Sequence, residues 1–387
     1  MTAVLLLLAL SSSAAPAGDA GTAVGRAALP DAGLAAPGCG SILVRVLENA
    51  RPLEANVELS SGAFSCDGQP LVGKVVSLRA NGKAVGVGGQ RCGTVESDGD
   101  GFTLTWASKR RQYRGTLRAG SDGTRLSLYD EVPVEAYLRG VVGSETLPGA
   151  PEALAAQAVV SRTFALASRG RHGGAGYDVC DLTHCQLYRG REDERADADT
   201  AVARTAGQVL LVGGVVLRPA FFHASCGGAT SSAADVFGEE GLNASTSDSV
   251  EGGPPLCAGS PDFNWTWQVE RGALAAGLGL VDDGTAFEPL RRDRAGRVLE
   301  VRAFGQRLSG NELWARAGRA FGFGAVRSLK VTAEEVERVV RFTGHGLGHG
   351  VGLCQAGARA AAERGWPASR ILGHYFPDSA VRPQPAP

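Results

Sequence analysis

The sequence predicts an α+β protein: a mainly β core, a helical segment that carries the chemistry, and loop-rich walls around a cleft. Two features of the pattern predict it. From Ser41 to about Asp130, short apolar–polar alternations follow one another, and from Pro133 the period turns helical. A third observation is bulk. At 387 residues, 44% hydrophobic and 20% charged, the chain can bury one large core or two modest ones and is not disordered. Its 39 basic and 40 acidic residues leave a net charge of −1, with no long basic run. That argues against a nucleic-acid partner held by general electrostatics. The 55 glycines and the preference for Arg over Lys read as codon bias in a GC-rich genome rather than as function.

The elements follow in order. MTAVLLLLALSSSAAPAGDA has an apolar core from Val4 to Leu10, then small residues with cleavage points after Ala15 or Ala17. Although no Lys or Arg precedes the apolar core, residues 1–17 read as a signal peptide, and the chain as secreted, periplasmic or cell-wall associated. No uninterrupted apolar run of about 18 residues occurs, the length a membrane span needs. Residues 18–40 form a low-complexity lead-in. Cys39, in AAPGC, lies too far from the apolar core for a lipid-attachment box.

Residues 41–130 form an N-terminal β-rich part. ILVRVL, ANVELS, KVVSL, FTLTWA, YRGTL and RLSLYD read as strands, punctuated by Gly-Asp-Gly and Gly-Ser-Asp-Gly. Residues 131–376 form the core that carries the chemistry, and 377–387 a C-terminal tail. Pro133 opens a helix that ends near Glu145, and Pro151 opens a second. On the second, Leu154, Ala158, Ser161 and Ala165 share a face, with Gln157 and Arg162 near its edge. A third helix is expected over Asp193–Ala206, then a hairpin around Gly213-Gly214. Thr230 to Pro261 reads as loop-rich. WTWQVE, RVLEVRAFG and LKVT read as strands, with a short helix near Gly310–Ala317. A Gly-rich loop (Gly344–Gly352), a helix (Gln355–Arg364) and a turn at Ile371–Tyr375 close the chain.

Four constellations could carry chemistry. Glu145 stands where a helix gives way to the loop Thr146–Ala150. In a partly dry cleft such a carboxyl group keeps its proton near neutral pH and can donate it to a glycosidic oxygen. By spacing alone it reads more readily as an ordinary surface Glu at a helix end, since such residues are common. Next, RHGGAGYDVCDLTHC places His172, Cys180, His184 and Cys185 within 14 residues. These donors suit a closed tetrahedral zinc site, which would be structural because four ligands leave no open position. A Cys180–Cys185 disulfide is the alternative. Third, FHASCGG leaves a strand with small residues, so His223 could meet a ligand or could be a satisfied turn histidine. Fourth, GHGLGHGVG lacks the spacing and the Lys-Ser/Thr of a phosphate loop. It reads as a loop lining a cleft, with His345 and His349 too rich in glycine neighbours for a helical metal pair.

Eight cysteines are present. With two in a metal site, six allow three disulfides. Cys66–Cys92 and Cys226–Cys257 are the preferred pairs, and Cys226–Cys354 competes if the hairpin exit meets the Gly-rich loop.

The stretch VPVEAYLRGVVGSETLP…PEALAAQAVVSRTFAL resembles the signature of stage II sporulation protein D and the related amidase-enhancer proteins, roughly YL-x-GVV-x-SEMP followed by EAL-x-AQAV-x-ART-(Y/F)-AL. CDLTHCQLYRG, TAGQVLLVGG…AFFHASCGGAT, LSGNELWARAG and GHGLGHGVGLCQAGA…ILGHYFP match further blocks in the same order. The resemblance runs from about Ser41 to Phe376. It implies a secreted protein acting on peptidoglycan glycan strands. The implied activity is that of a lytic transglycosylase on strands stripped of stem peptides, leaving 1,6-anhydro-muramic ends, with Glu145 as the catalytic acid and base. It also implies a zinc site at His172, Cys180, His184 and Cys185. Arg162, Gln186, Tyr188, His223, His349 and Gln355 are the expected substrate-binding residues, Arg162 orienting the carboxylate or the sugar. The rival reading is a non-enzymatic glycan-binding enhancer of an N-acetylmuramoyl-L-alanine amidase, and a zinc-dependent hydrolase is a third. Thr146 replaces the signature Met, the His172–Cys180 gap is long, Cys354 stands where Ser is often found, and Gly238–Ser260 is enlarged.

Overall fold

A computed structural model describes residues 40–216, 219–239 and 243–384. The expected signal peptide, nearly all of the lead-in with Cys39, and the last three residues lie outside the described residues. The α+β expectation is borne out. The chain forms two compact units, with the boundary between Val209 and Leu210 inside one strand. Among the described residues, the first takes 40–209 and again the chain from Arg382, and the second runs from Leu210 to Val381.

In the first unit a seven-stranded sheet has the order Val179–Cys180, Ser41–Val46, Leu126–Pro133, Thr116–Ser121, Val95–Ser97, Phe64–Cys66, Gln69–Leu71. Its neighbours are antiparallel except the first pair, where Val179 lies opposite Val44 and Cys180 opposite Arg45 in parallel register. Ile42, Leu43 and Val44 are all buried, as expected of a strand covered on both faces. A six-stranded antiparallel sheet has the order Lys109–Tyr113, Phe102–Trp106, Glu54–Leu59, Val75–Asn81, Ala84–Val87, Gln90–Cys92. Here Ala55, Val57 and Leu59 point inward and the residues between them outward, the period-2 pattern of a half-solvated sheet. Five of the six expected strands are present, while YRGTL is broken by a bend at Arg114–Gly115, Tyr113 ending one strand and Thr116 opening another in the other sheet. The additional ones are three to five residues long. KRRQY, for example, has no apolar alternation to reveal it and is an edge strand held by its pairing with Phe102–Trp106. The Cys66–Cys92 disulfide is formed, as expected.

Helices α1 (Val134–Glu145), α2 (Pro151–Ala167) and α3 (Ala196–Arg204) pack against one another. Pro151 occupies the first turn of α2, where its missing N–H costs nothing. Its small Ala side chains admit neighbours on several sides, so α2 is buried nearly all round rather than along one face, Gln157 and Arg162 included. Helix α3 begins three residues later than expected. Asp193 and Glu194 instead serve ion pairs with Arg189 and Arg114, which hold the preceding loop.

The second unit contains α4 (Ala233–Phe237), α5 (Arg271–Leu278), α6 (Gly310–Phe321), α7 (Gln355–Glu363) and α8 (Ala368–Tyr375). Two three-stranded antiparallel sheets supply its larger core, with Trp265, Leu274, Val298, Val301, Leu313, Val340 and Phe342 at the centre. Ser309 and Glu312 form a capping box that starts α6. A two-stranded parallel pair joins Phe222–His223 to Leu353–Cys354, His223 opposite Cys354. No helix among the described residues is long and apolar enough to cross a membrane.

Candidate active site and metal centre

The signature around Glu145 has a packing reason. Gly140 and Gly143 lie three apart on one face of α1. A Cβ on Gly140 would fall 2.5 Å from the Gly190 carbonyl oxygen, and one on Gly143 would fall 1.9 Å from that of Asp193. Only glycine lets the segment 186–194 lie this close to the helix. That approach delivers the Leu187 N–H to Glu145 Oε1 at 2.7 Å. Nearby, Ser144 Oγ donates to Asp193 Oδ2 at 2.6 Å, and Arg195 donates to the carbonyls of Gly143 and Thr146. Arg195 thereby satisfies carbonyls that the helix end leaves unpaired and places a cation at the negative pole of α1.

Glu145 is half-buried and closes this helix. Desolvation pushes its carboxyl group up to about 7, and the Leu187 N–H, which favours the ionised form, pulls it only part of the way back. Carbonyl ends of α1 also point toward this position, which further favours the neutral acid. Gly149 and Ala150 take left-handed backbone conformations in the loop that follows, Ala150 with φ 53°. For a residue with a Cβ that conformation costs about 1–2 kcal/mol, so the turn after Glu145 is enforced by its surroundings.

Three residues expected on a cleft wall lie in the interior of this unit. Arg162 is fully buried and paired bidentately with Glu135, at 2.6 and 2.7 Å, while also donating to the Gln208 carbonyl at 3.1 Å. Gln186, also fully buried, accepts from Tyr137 Oη at 3.2 Å and donates to the Ser161 carbonyl at 3.3 Å. Tyr188 packs on Tyr137 with ring centroids 4.8 Å apart and donates to Asp130 Oδ2 at 2.7 Å. Burial pushes that Asp130 carboxyl up to about 7. These groups are committed to protein partners, so they hold α1 and the 186–194 segment in place and present no face to a ligand. A motif in sequence does not distinguish a residue that touches substrate from one that supports it.

The second constellation does assemble. Cys180 ends the short parallel strand, and a turn closed by Cys185 N–H to the Leu182 carbonyl brings Cys185 and His184 back beside it. Asp181 anchors that turn by accepting the N–H groups of Leu47 and Glu48 at 2.8 and 3.2 Å. His172 reaches in across the 3₁₀ turn Gly173–Ala175 and stacks on Tyr177 at 4.7 Å, which accounts for the long gap before Cys180. The four donor atoms lie within 4.8 Å of one another. Cys180 Sγ and Cys185 Sγ are 3.5 Å apart and unbonded. His172 Nε2 stands 3.3 Å from Cys185 Sγ, and His184 Nδ1 stands 3.8 Å from Cys180 Sγ. Donors on one tetrahedral zinc, at Zn–S near 2.3 Å and Zn–N near 2.0 Å, are separated by roughly 3.4–3.8 Å. The residues therefore fit a metal ion.

His223, His349 and Gln355 belong to the second unit. His223 is buried, its Nδ1 set 3.0 Å from the Val351 carbonyl, and its Nε2 is buried without a hydrogen-bond partner. His349 sits 5.6 Å from the His223 ring, between Phe221 and Phe237. Desolvation pushes its imidazole down to about 4, so it is neutral at physiological pH. Gln355 is the first residue of α7. The expected Cys226–Cys257 bond is not formed: the sulfurs stand 3.5 Å apart, and Cys354 is unbonded too.

The sequence model of the stage II sporulation protein family (SpoIID) matches residues 122–211, which hold Glu145 and the Cys/His quartet. An uncharacterized protein of Brachyspira hyodysenteriae is 30% identical, the match covering 78% of this chain and 80% of that protein. Stage II sporulation protein D of Bacillus amyloliquefaciens is 27% identical over 64% of this chain and 73% of its own length. The amidase enhancer of Bacillus subtilis is 24% identical over 63% of this chain but only 40% of its own length.

Proposed function

This chain belongs to the stage II sporulation protein D family, and we propose that it is exported and cleaves peptidoglycan glycan strands as a lytic transglycosylase, with Glu145 as its single acid and base. The observation that carries this reading is the Glu145 carboxyl group, half-buried at a helix end and pushed up to about 7, so that a large fraction keeps its proton at neutral pH.

The protonated Glu145 gives its proton to the glycosidic oxygen as the bond to the anomeric carbon breaks, leaving an oxocarbenium-like centre. The Glu145 carboxylate then takes the proton of the muramic acid 6-hydroxyl while that oxygen bonds to the anomeric carbon. The product is a 1,6-anhydro end, Glu145 is again protonated, and no water is consumed. An internal nucleophile removes the need for a second carboxylate. The Leu187 N–H stabilises the carboxylate that exists between the two steps.

His172, Cys180, His184 and Cys185 would hold zinc. A zinc ion with four protein donors supplies no open coordination position and acts as a cross-link. It would tie the strand end at Cys180 to the segment that supplies the Leu187 N–H. Arg162, Gln186 and Tyr188 are positioning residues in this scheme.

The test is incubation of wild type and Glu145→Gln with sacculi stripped of stem peptides by an amidase, with mass spectrometry of the soluble products. Wild type releases 1,6-anhydro-muramic fragments and Glu145→Gln releases them at least about 10²-fold more slowly, the lower range for loss of a general acid–base. Equal release by both overturns the assignment of Glu145. A second reading, a glycan-bound enhancer of an N-acetylmuramoyl-L-alanine amidase, is favoured by the relative named amidase enhancer. It predicts no soluble product from wild type, retention on the stripped sacculi by both proteins, and, on sacculi that keep their stem peptides, faster peptide release by added amidase.

A further inference from the structure

The two disulfides considered for the second unit, Cys226–Cys257 and Cys226–Cys354, point to one place. There the structure gathers three thiols and a carboxylate. We infer that Cys226, Cys257, Cys354 and Asp248 form a second metal centre, a thiolate-rich site suited to zinc, separate from the quartet of the first unit.

All four side chains are buried, and their donor atoms lie within 4.8 Å of one another. Cys226 Sγ and Cys257 Sγ are 3.5 Å apart and unbonded. Two thiolates on one tetrahedral zinc are separated by about 3.7 Å, and soft thiolate donors select zinc over the hard cations. The cysteine pair of the first quartet stands at the same 3.5 Å.

The surroundings are built for anionic sulfur. Cys354 precedes α7, and its Sγ accepts the N–H groups of Cys226 at 3.2 Å and Gly357 at 3.4 Å. Asp248 is fixed by the Cys257 N–H on Oδ2 at 2.8 Å and the Tyr375 hydroxyl on Oδ1 at 2.5 Å, outer partners of the sort that orient a metal-binding carboxylate. Gly357 allows this: a Cβ there would fall 2.0 Å from Tyr375 Oη and 2.5 Å from Asp248 Oδ1. Glycines also let the two cysteine-bearing segments interlock, since a Cβ on Gly346 would fall 2.5 Å from the Ser225 carbonyl oxygen.

Charge points the same way. Three thiolates and a carboxylate around a dication leave a net negative centre. Arg297 is fully buried beside it, donating Nη2–H to the Cys226 carbonyl at 2.7 Å, with Nε and Nη1 lacking hydrogen-bond partners. Lys330 Nζ donates to the Gly227 carbonyl at 2.8 Å. Asp293 accepts the Arg297 backbone N–H and is the other acid in reach of the guanidinium. A disulfide between any two of the three cysteines would remove two of the groups that can balance the buried Arg297 and the half-buried Lys330 and strand the third thiol. Binding at this centre would clamp the parallel pair Phe222–His223 and Leu353–Cys354, the start of α7 and the segment 248–257. These flank the loop that carries His349.

The experiment is metal analysis of the full mature chain, produced with zinc present and purified without chelator, with alkylation and peptide mapping of its cysteines. Wild type should hold two zinc ions per chain, with Cys66–Cys92 as the disulfide and Cys226, Cys257 and Cys354 recovered as thiols. The double variant Cys180→Ser/Cys185→Ser should keep one zinc, and its X-ray absorption should show a first shell dominated by sulfur. Cys257→Ala/Cys354→Ala should also keep one zinc, with a mixed sulfur–nitrogen shell. If neither variant folds, the wild-type stoichiometry and thiol map still decide. One zinc or none per wild-type chain, or a disulfide joining any two of Cys226, Cys257 and Cys354, overturns the site. The outcome does not depend on whether Glu145 cuts glycan.

Discussion

Glu145 joins sequence to chemistry at the scale of one residue. Its position at a helix end is legible in the spacing, but a Glu at a helix end is also an ordinary surface residue. What separates the two is desolvation, which depends on the 186–194 segment folding over α1 and so on residues over 40 positions away. The same electrostatics set a pH dependence. Because the folded state raises the carboxyl group from 4.5 to about 7, it binds more protons there than the unfolded chain does. Ionising Glu145 therefore works against folding, with a penalty that appears above about pH 4.5 and is complete above about pH 7. Thermal unfolding of Glu145→Gln and wild type should show a difference in Tm that moves in favour of the variant between pH 5 and pH 8. A constant difference across that range would mean the carboxyl group is not perturbed. Arg162, Gln186 and Tyr188 teach the complementary lesson. They sit in the matched blocks, yet their polar groups are spent inside the protein. The chain pattern marks such residues without saying whether they meet ligand or scaffold.

Among the elements, α1 and the 186–194 segment form the working unit. The helix boundaries follow from Pro133, Pro151 and the 3.6-residue period. Its partner segment has no periodicity, and only the glycines at 140 and 143 hint that something must lie against the helix. Gly143→Ala would put a methyl group into the Asp193 carbonyl. Overpacking of this kind costs about 1–3 kcal/mol, and displacement of the segment should also lower glycan cleavage, because the Leu187 N–H moves with it. Denaturant unfolding together with the cleavage assay checks both. Arg195 was not visible as a site residue at all. Its role comes from meeting the carbonyl end of α1, which no local pattern encodes. Arg195→Ala should lose up to about 2 kcal/mol, the upper range for a cation at a helix C-terminus. Unchanged unfolding would remove Arg195 from the account.

Across the whole molecule, the order of strands and helices was readable because each long element carries its own period, while the short strands exist only through pairing. The division near Val209 was not readable, since it falls within a continuous strand. The cysteines were legible as a set rather than as partners. Cys66–Cys92 pairs as expected and the quartet at 172–185 is local enough to be read from the spacing, whereas Cys226, Cys257 and Cys354 gather with Asp248 only through the fold. Metal binding at either group would be linked to folding. Chelation of the isolated protein should lower Tm, and restoring zinc should recover it, with magnesium unable to substitute for soft thiolate donors. A Tm insensitive to chelator in metal-loaded protein would contradict a structural metal.

The central claim, cleavage by one carboxyl group with the substrate's own hydroxyl as nucleophile, is tested most directly by digesting peptide-free glycan in H₂¹⁸O. The account predicts 1,6-anhydro-muramic ends carrying no ¹⁸O, formed by wild type and not by Glu145→Gln. Reducing ends labelled with ¹⁸O, or unlabelled anhydro ends formed equally fast by Glu145→Gln, would contradict it.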